Sequence, residues 1–319
     1  MPFTPHHPAN VKRQDIPRLK AGRRWEWPTI LVAVVLYGGF ALLTWYWHAL
    51  PVWLAAPAGA VLVAWHSSLQ HETIHGHPTS LGWLNALIGA PPLALWLPYT
   101  LYRETHLGHH RDHGRDLTDP ALDPESHYLR QGALSGAGRL RLGLLRWHGT
   151  LAGRIAIGPA LVVGRCWGTE ARRIVSDRRH LRLWLWHGLT VAPLLFWIVG
   201  VCRIPLAEYV ALIVYPSIAL GLVRSFTEHR AAPDPLDRTA VVEAGPFWSL
   251  LFLNNNLHVV HHRQPTLPWY RIPVVWQTLR PQIDLAPDML FRGGYGEIFA
   301  RYLLRSAAPV EHPGFEVRP

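Results

Sequence analysis

Residues 253–264 read LNNNLHVVHHRQ and place His258, His261 and His262 in the spacing H-x-x-H-H. The same spacing occurs once earlier, in HLGHH at His106, His109 and His110, and HETIH sets His71 and His75 four apart. On a helix, residues three and four apart share a face, so each cluster presents its imidazoles together. Neutral imidazole binds transition metals through a ring nitrogen at about 2.0–2.1 Å. Eight histidines on three helix faces are enough to ligate two metal ions. His229, in FTEHR, offers a ninth ring.

The surroundings of the clusters are apolar. Hydrophobic residues make up 49% of the chain and charged residues only 16%, against about a quarter in water-soluble domains. Segments of about 20 apolar residues are long enough to cross a bilayer as helices. Four fit: residues 28–50, 52–69, 181–201 and 206–223. The segment 81–101 is also apolar, but Pro91, Pro92 and Pro98 interrupt it, which predicts a re-entrant or interfacial pair of short helices. Residues 132–179 space arginines among Leu, Ile, Val and Trp, the pattern of amphipathic helices on an anionic leaflet. Residues 1–24 read as a cytosolic, poorly ordered tail with a basic end and without a signal-peptide core, 25–305 as a single membrane domain, and 306–319 as a C-terminal tail. The fold class is therefore all-α and integral to the membrane: about four transmembrane helices, re-entrant or interfacial helices, and a cytosolic helical cap that carries the histidine boxes.

The net charge is +10, mostly from arginine. Arg172, Arg173, Arg178, Arg179, Arg182 and Arg224 flank the third and fourth spans, and the loop between the first two has no Lys or Arg. The positive-inside rule then puts the arginine-rich ends in the cytosol. Every histidine cluster falls on that side, although the histidines were not used to draw the topology. No nucleic-acid module accompanies the charge. Cys166 and Cys202 lack C-x-x-C spacing and read as apolar packing residues, not as a disulfide framework or an iron–sulfur site.

Other histidines have plainer readings. His48, His66, His148, His180 and His187 read as polar tips packed among aromatics, and His6, His7 and His312 as tail residues. His77, His113 and His127 read as surface residues. HETIH also matches the H-E-x-x-H of zinc proteases, where the glutamate is a general base. That reading leaves both H-x-x-H-H clusters unexplained. Glu72 otherwise orients a ligand ring through its N–H or is a solvated helix residue.

The three boxes, with HETIHGHPT, the DPALDPES run, FTEHR, and LNNNLHVVHH leading into PTLPWY, make this chain similar to the integral-membrane fatty acid desaturase superfamily. They look most like its bacterial fatty-acid-desaturase-like branch. The resemblance runs from about Trp27 to about Trp276 and implies a non-haem centre of two Fe ions. By position it carries His71, His75, His106, His109, His110, His229, His258, His261 and His262 over as ligands. Asn254, four before His258, reads as a further group supporting the rings or as a capping residue. Box one has the short H-x-x-x-H spacing, and Ser225 stands where acyl desaturases have an asparagine. The resemblance implies an enzyme that uses O2 and external electrons to desaturate a fatty acyl or lipid chain. Hydroxylation or oxidative demethylation of another substrate is the alternative; a zinc protease or a non-catalytic metal-binding protein lies further off. The chain has no HPGG haem segment, iron–sulfur cysteines or G-x-G-x-x-G fingerprint. A separate donor, a ferredoxin with its reductase, is therefore expected. The expected location is the bacterial inner membrane, with the active site and both termini cytoplasmic.

Overall fold

The computed structural model describes residues 25–111, 115–283, 285–286 and 288–314; the tail expected at 1–24 and His113 lie outside the described residues. In chain order the helices are α1 (Trp27–Trp45), α2 (Val52–Ile74), α3 (Gly82–Gly89), α4 (Tyr99–His109), α5 (Arg139–His148), α6 (Leu151–Ser176) and α7 (Arg178–Leu195), then α8 (Leu206–Tyr209), α9 (Tyr215–Ser225), α10 (Pro246–Leu251), α11 (His258–Arg263), α12 (Ile272–Leu279) and α13 (Gly294–Tyr302). Turns of π-helix prolong α7 to Val201 and join α8 to α9. Two short strands, β1 (Val241–Val242) and β2 (Leu290–Phe291), pair in parallel inside the cap.

Four helices are long and apolar enough to cross a membrane: Trp27–Trp45, Val52–Ile74, Arg178–Val201 and Leu206–Ser225. The protein is thus an all-α membrane protein, as the sequence leads one to expect. Outward faces carry Leu31, Val34 and Leu42 on α1, Trp53 on α2, and Leu185, Trp186 and Leu189 on α7, all exposed. Such faces suit hydrocarbon and would be unfavourable in water. Inward, Leu36, Phe40, Val63, Leu69, Ile198, Tyr209 and Ile213 form one buried core. The start of α1, the end of α2 and the start of α7 share one end of the bundle. There Glu26 N–H donates to Pro78 O at 3.0 Å and Arg179 pairs with Glu104 of α4. At the other end Trp45 stacks on Trp197, and Trp47 Nε1 donates to Glu208 at 2.8 Å.

The second span is longer than the expected 52–69. α2 continues unbroken to Ile74, so His71 lies on its last turn and His75 caps it. No proline or glycine interrupts residues 58–74 except Gly59, whose missing side chain admits Ile213. The expected pair of short helices at 81–101 is α3 and the start of α4. Non-helical backbone between them is tolerable at membrane depth only where its polar groups are satisfied by protein. They are: Tyr37 donates to Ile88 O, Gln70 to Gly89 O, Tyr209 to Leu93 O and Trp167 to Trp96 O, and His187 Nε2 lies 2.7 Å from Leu95 O. His66 supports Tyr37, with its Nε2 3.2 Å from the hydroxyl.

The arginine-spaced stretch forms α5 and α6. Thr150 caps α6 by accepting from Gly153 N, and α6 lies along α9. Residues 306–314, read from sequence as a tail, pair with the loop after α4: Leu129 N–H donates to Val310 O and His312 N–H to Leu129 O. His77 is not a surface residue. It is buried, with Nδ1 2.9 Å from Glu26 Oε1.

Candidate metal centre

The cap returns the chain to the end of the bundle where α2 and α9 finish. Val242 N–H donates to Asn256 O at 2.8 Å, and Asn256 Nδ2 returns a bond to Val242 O at 2.7 Å. Leu253 and Asn254 take left-handed φ values of 46° and 57°, which turns the chain sharply. Such conformations are uncommon for residues with a Cβ, and asparagine tolerates them best. The turn starts α11 at His258, so that His258, His261 and His262 face α2 and α4.

All nine histidines named above converge, and they separate into two groups. His71, His75, His106, His110 and His261 form one; His109, His229, His258 and His262 form the other, with the ligand atoms within each group no more than 4.8 Å apart. The split explains the motif. In each H-x-x-H-H, the first and last rings, one turn apart, go to the same group and the middle ring crosses to the other. Box two gives His106 and His110 to the first group and His109 to the second. Box three does the reverse, giving His258 and His262 to the second and His261 to the first. The two groups are therefore interlocked through the same pair of helices.

Nitrogen spacing tests whether an ion fits. The Nε2 atoms of His75 and His106 lie 2.9 Å apart, those of His261 and His110 3.0 Å, and those of His258 and His229 3.0 Å. Two nitrogens each about 2.1 Å from one ion, at right angles, would be about 3.0 Å apart. Among neutral rings, hydrogen bonds do not account for this packing. His109 Nδ1 is 2.8 Å from Asp123 Oδ1, and His229 Nδ1 is 3.2 Å from Arg238 O. Both partners only accept, so in the neutral rings both protons sit on Nδ1. The two Nε2 lone pairs then face each other at 3.0 Å. A cation between them removes that conflict. His71 Nε2 is buried without any hydrogen-bond partner, as a ligand nitrogen would be.

Carboxylates and an amide set the rings from behind. Glu125 Oε1 lies 3.1 Å from His106 Nδ1, and Glu228 Oε1 3.7 Å from His258 Nδ1 while pairing with Arg224 at 3.0 Å. Asn255 Oδ1 is 3.0 Å from His258 Nδ1. Partners of this kind fix the tautomer and raise ligand basicity. Burial and the neighbouring imidazoles hold His229, His258, His261 and His262 well below the ordinary imidazole range, so they are neutral, as ligands must be. At His109 burial acts the same way but is outweighed by Asp123, Glu125 and Glu228, and the imidazole is raised. A field that favours a proton there favours a metal cation equally.

Two groups expected to support the rings are placed differently. Asn254 is not one helical turn before His258, because α11 begins only at His258; its amide donates to Trp269 O at 3.1 Å. Its neighbour Asn255 makes the contact instead. Glu72 Oε1 is 3.9 Å from His71 Nδ1, and Oε2 accepts from Trp269 N at 3.1 Å. Asp123 and Glu125 were missed as individuals, although they stand in the DPALDPES run. The signal was two carboxylates two residues apart in a turn directly after a histidine box.

The interlocked histidine groups at one end of this membrane-helix bundle form a candidate site for metal ions. The fatty acid desaturase family model matches residues 48–291, which include every histidine of both groups, and the chain belongs to that family. No individually curated protein matches it.

Proposed function

We propose that the chain is a di-iron fatty acyl or lipid desaturase that draws electrons from a separate donor, a ferredoxin with its reductase. One iron is held by His71, His75, His106, His110 and His261, the other by His109, His229, His258 and His262. When bound and reduced, the iron pair would supply the O2 chemistry that removes hydrogen from an unactivated C–H bond. The chain's own residues hold and shield it. Asp123, Glu125 and Asn255 keep the protons of His109, His106 and His258 on Nδ1 and the lone pairs turned inward. Six of the nine rings are buried; His110, His229 and His262 are half-buried and mark the side from which an acyl chain or O2 arrives. The arginines at the histidine end place it in the cytosol by the positive-inside rule and offer a dock for an acidic donor. The same reading treats residues 25–305 as a single domain in the bacterial inner membrane.

The observation that carries this reading is the pair of interlocked groups with facing lone pairs. It disfavours a zinc protease, because His71 and His75 join three more rings, and Glu72 accepts from the Trp269 backbone. The test is co-expression with a ferredoxin and reductase, followed by profiling of lipids and metabolites. New double bonds in acyl chains support desaturation; new hydroxyl groups in their place overturn it in favour of hydroxylation.

A further inference from the structure

Among the described residues two arginines are fully buried, Arg154 and Arg238. Arg238 is satisfied by backbone carbonyls of Ala232, Arg115 and Leu117. The less deeply buried Arg224 has Glu228. Arg154, on the first turns of α6, has no such partner. It is 8% exposed, its Nε has no hydrogen-bond partner, and its guanidinium lies over the Phe226 ring at 5.6 Å. Burial pushes it down to about 10, with no carboxylate to oppose the shift. A buried, unpaired charge is one of the most unfavourable arrangements a fold can contain.

Its neighbours add to the excess. His148 Nε2 is also buried without a partner. Burial and the Arg154 charge push His148 down to about 4 and His127 to about 3. Arg154 Nε and His148 Nε2 are thus both buried without an acceptor, and His127 is close enough to be lowered by the Arg154 charge. That neighbourhood adjoins the second histidine group. Phe226 stands three residues before His229, and a small recess lined by Phe226, Thr227, His229, Phe291 and Tyr302 shares its ring. Thr227 Oγ1 in that recess is unpartnered as well. The recess has one carboxylate, Asp288, which is already paired with Arg230.

We propose that Arg154, with His148 and His127, binds the oxyanion head of the substrate, a carboxylate or a phosphate, and thereby sets which carbon of the chain reaches the centre. This rests on the reading of the substrate as lipid-like. Arginine suits the role because its planar fork matches either oxyanion.

The test is binding to the purified full-length protein in detergent, with hexadecanoate, hexadecyl phosphate, hexadecanol and inorganic phosphate as probes. The wild type should bind at least one anionic amphiphile roughly tenfold to a hundredfold more tightly than hexadecanol. Arg154→Gln should lose that preference, with metal content unchanged and a thermal midpoint equal to or above that of the wild type. The better of the two anionic amphiphiles identifies the head. Equal binding of alcohol and anions by the wild type, or an undiminished preference in Arg154→Gln, overturns the proposal. So does inorganic phosphate binding as tightly as the amphiphiles, which would make this a free-anion site. If Arg154→Gln does not fold, His148→Gln, at a half-buried position, serves in its place with an expected loss of about threefold; no loss overturns the proposal. The readout is independent of turnover, so a failure of the desaturase reading would show in the products and not here.

Discussion

Asp123→Asn is the substitution whose outcome the geometry fixes most closely. The buried carboxylate accepts three N–H groups: His109 Nδ1 at 2.8 Å, Thr118 N at 2.9 Å and Glu125 N at 2.9 Å. An amide of the same shape has one accepting oxygen, so its NH2 must face a donor. A hydrogen bond to a charged group contributes roughly 1.5–3 kcal/mol. Removing the partner behind a metal-bound histidine typically costs about 10- to 100-fold in affinity, or about 1.4–2.7 kcal/mol. His109 belongs to the second group, whereas Glu125 holds His106 of the first. Asp123→Asn should therefore strip metal from the second site at about 10- to 100-fold lower chelator concentration. The first site should shift only a few-fold, through the lost Glu125 N–H contact. Glu125→Gln should do the converse. The assay is metal per chain after dialysis against graded chelator. Loss of both ions at one chelator concentration in a folded Asp123→Asn protein would refute the assignment of rings to separate ions, as would wild-type resistance.

Asn255→Ala frees His258 Nδ1 and should weaken the second site by about tenfold or more. Asn254→Ala should leave metal affinity alone and cost about 1–2 kcal/mol in stability, from the bond to Trp269 O and the left-handed φ; chelator dialysis and thermal unfolding separate the two. At Gly89 an added Cβ would lie 2.3 Å from Thr73 Oγ1 and 2.6 Å from Tyr99 Cε2, so Gly89→Ala should cost about 1–3 kcal/mol. Gly38→Ala, with open space around it, should be neutral or stabilising. Glu170 gives a pH dependence. Burial opposes its ionisation, but hydrogen bonds from His180, Trp184 and Arg173 outweigh burial and hold the carboxyl below its usual range. Its contribution is present at neutral pH and is lost as pH falls from the ordinary carboxylate range, about 4, through its lower folded value. The difference in thermal midpoint between wild type and Glu170→Gln should shrink on acidification; a constant gap would contradict this.

Much of the fold could be read from sequence because hydrocarbon demands long apolar runs, and those are visible without tertiary information. The histidines were legible for a related reason: a metal needs several identical ligands at helical spacing. The allotment of rings to two groups was not legible. It depends on how α4 and α11 face each other, which sequence spacing does not encode. The four-residue spacing points to Asn254 only if a helix runs back through the asparagines; the left-handed turn at Leu253 and Asn254 prevents that, and Asn255 makes the contact. The partners of the broken segment 90–98 come from three different helices, α6, α7 and α8, and leave no local signature. His77 was read as a surface residue because its partner, Glu26, lies 51 positions away.

The proposed site holds two irons on nine histidines. X-ray absorption at the iron edge, combined with an iron count on the purified protein, tests it most directly. The expected result is two irons per chain and a shell of nitrogen scatterers near 2.1 Å with the multiple-scattering pattern of imidazole. One zinc per chain without iron, or sulfur in the shell around iron, would contradict it.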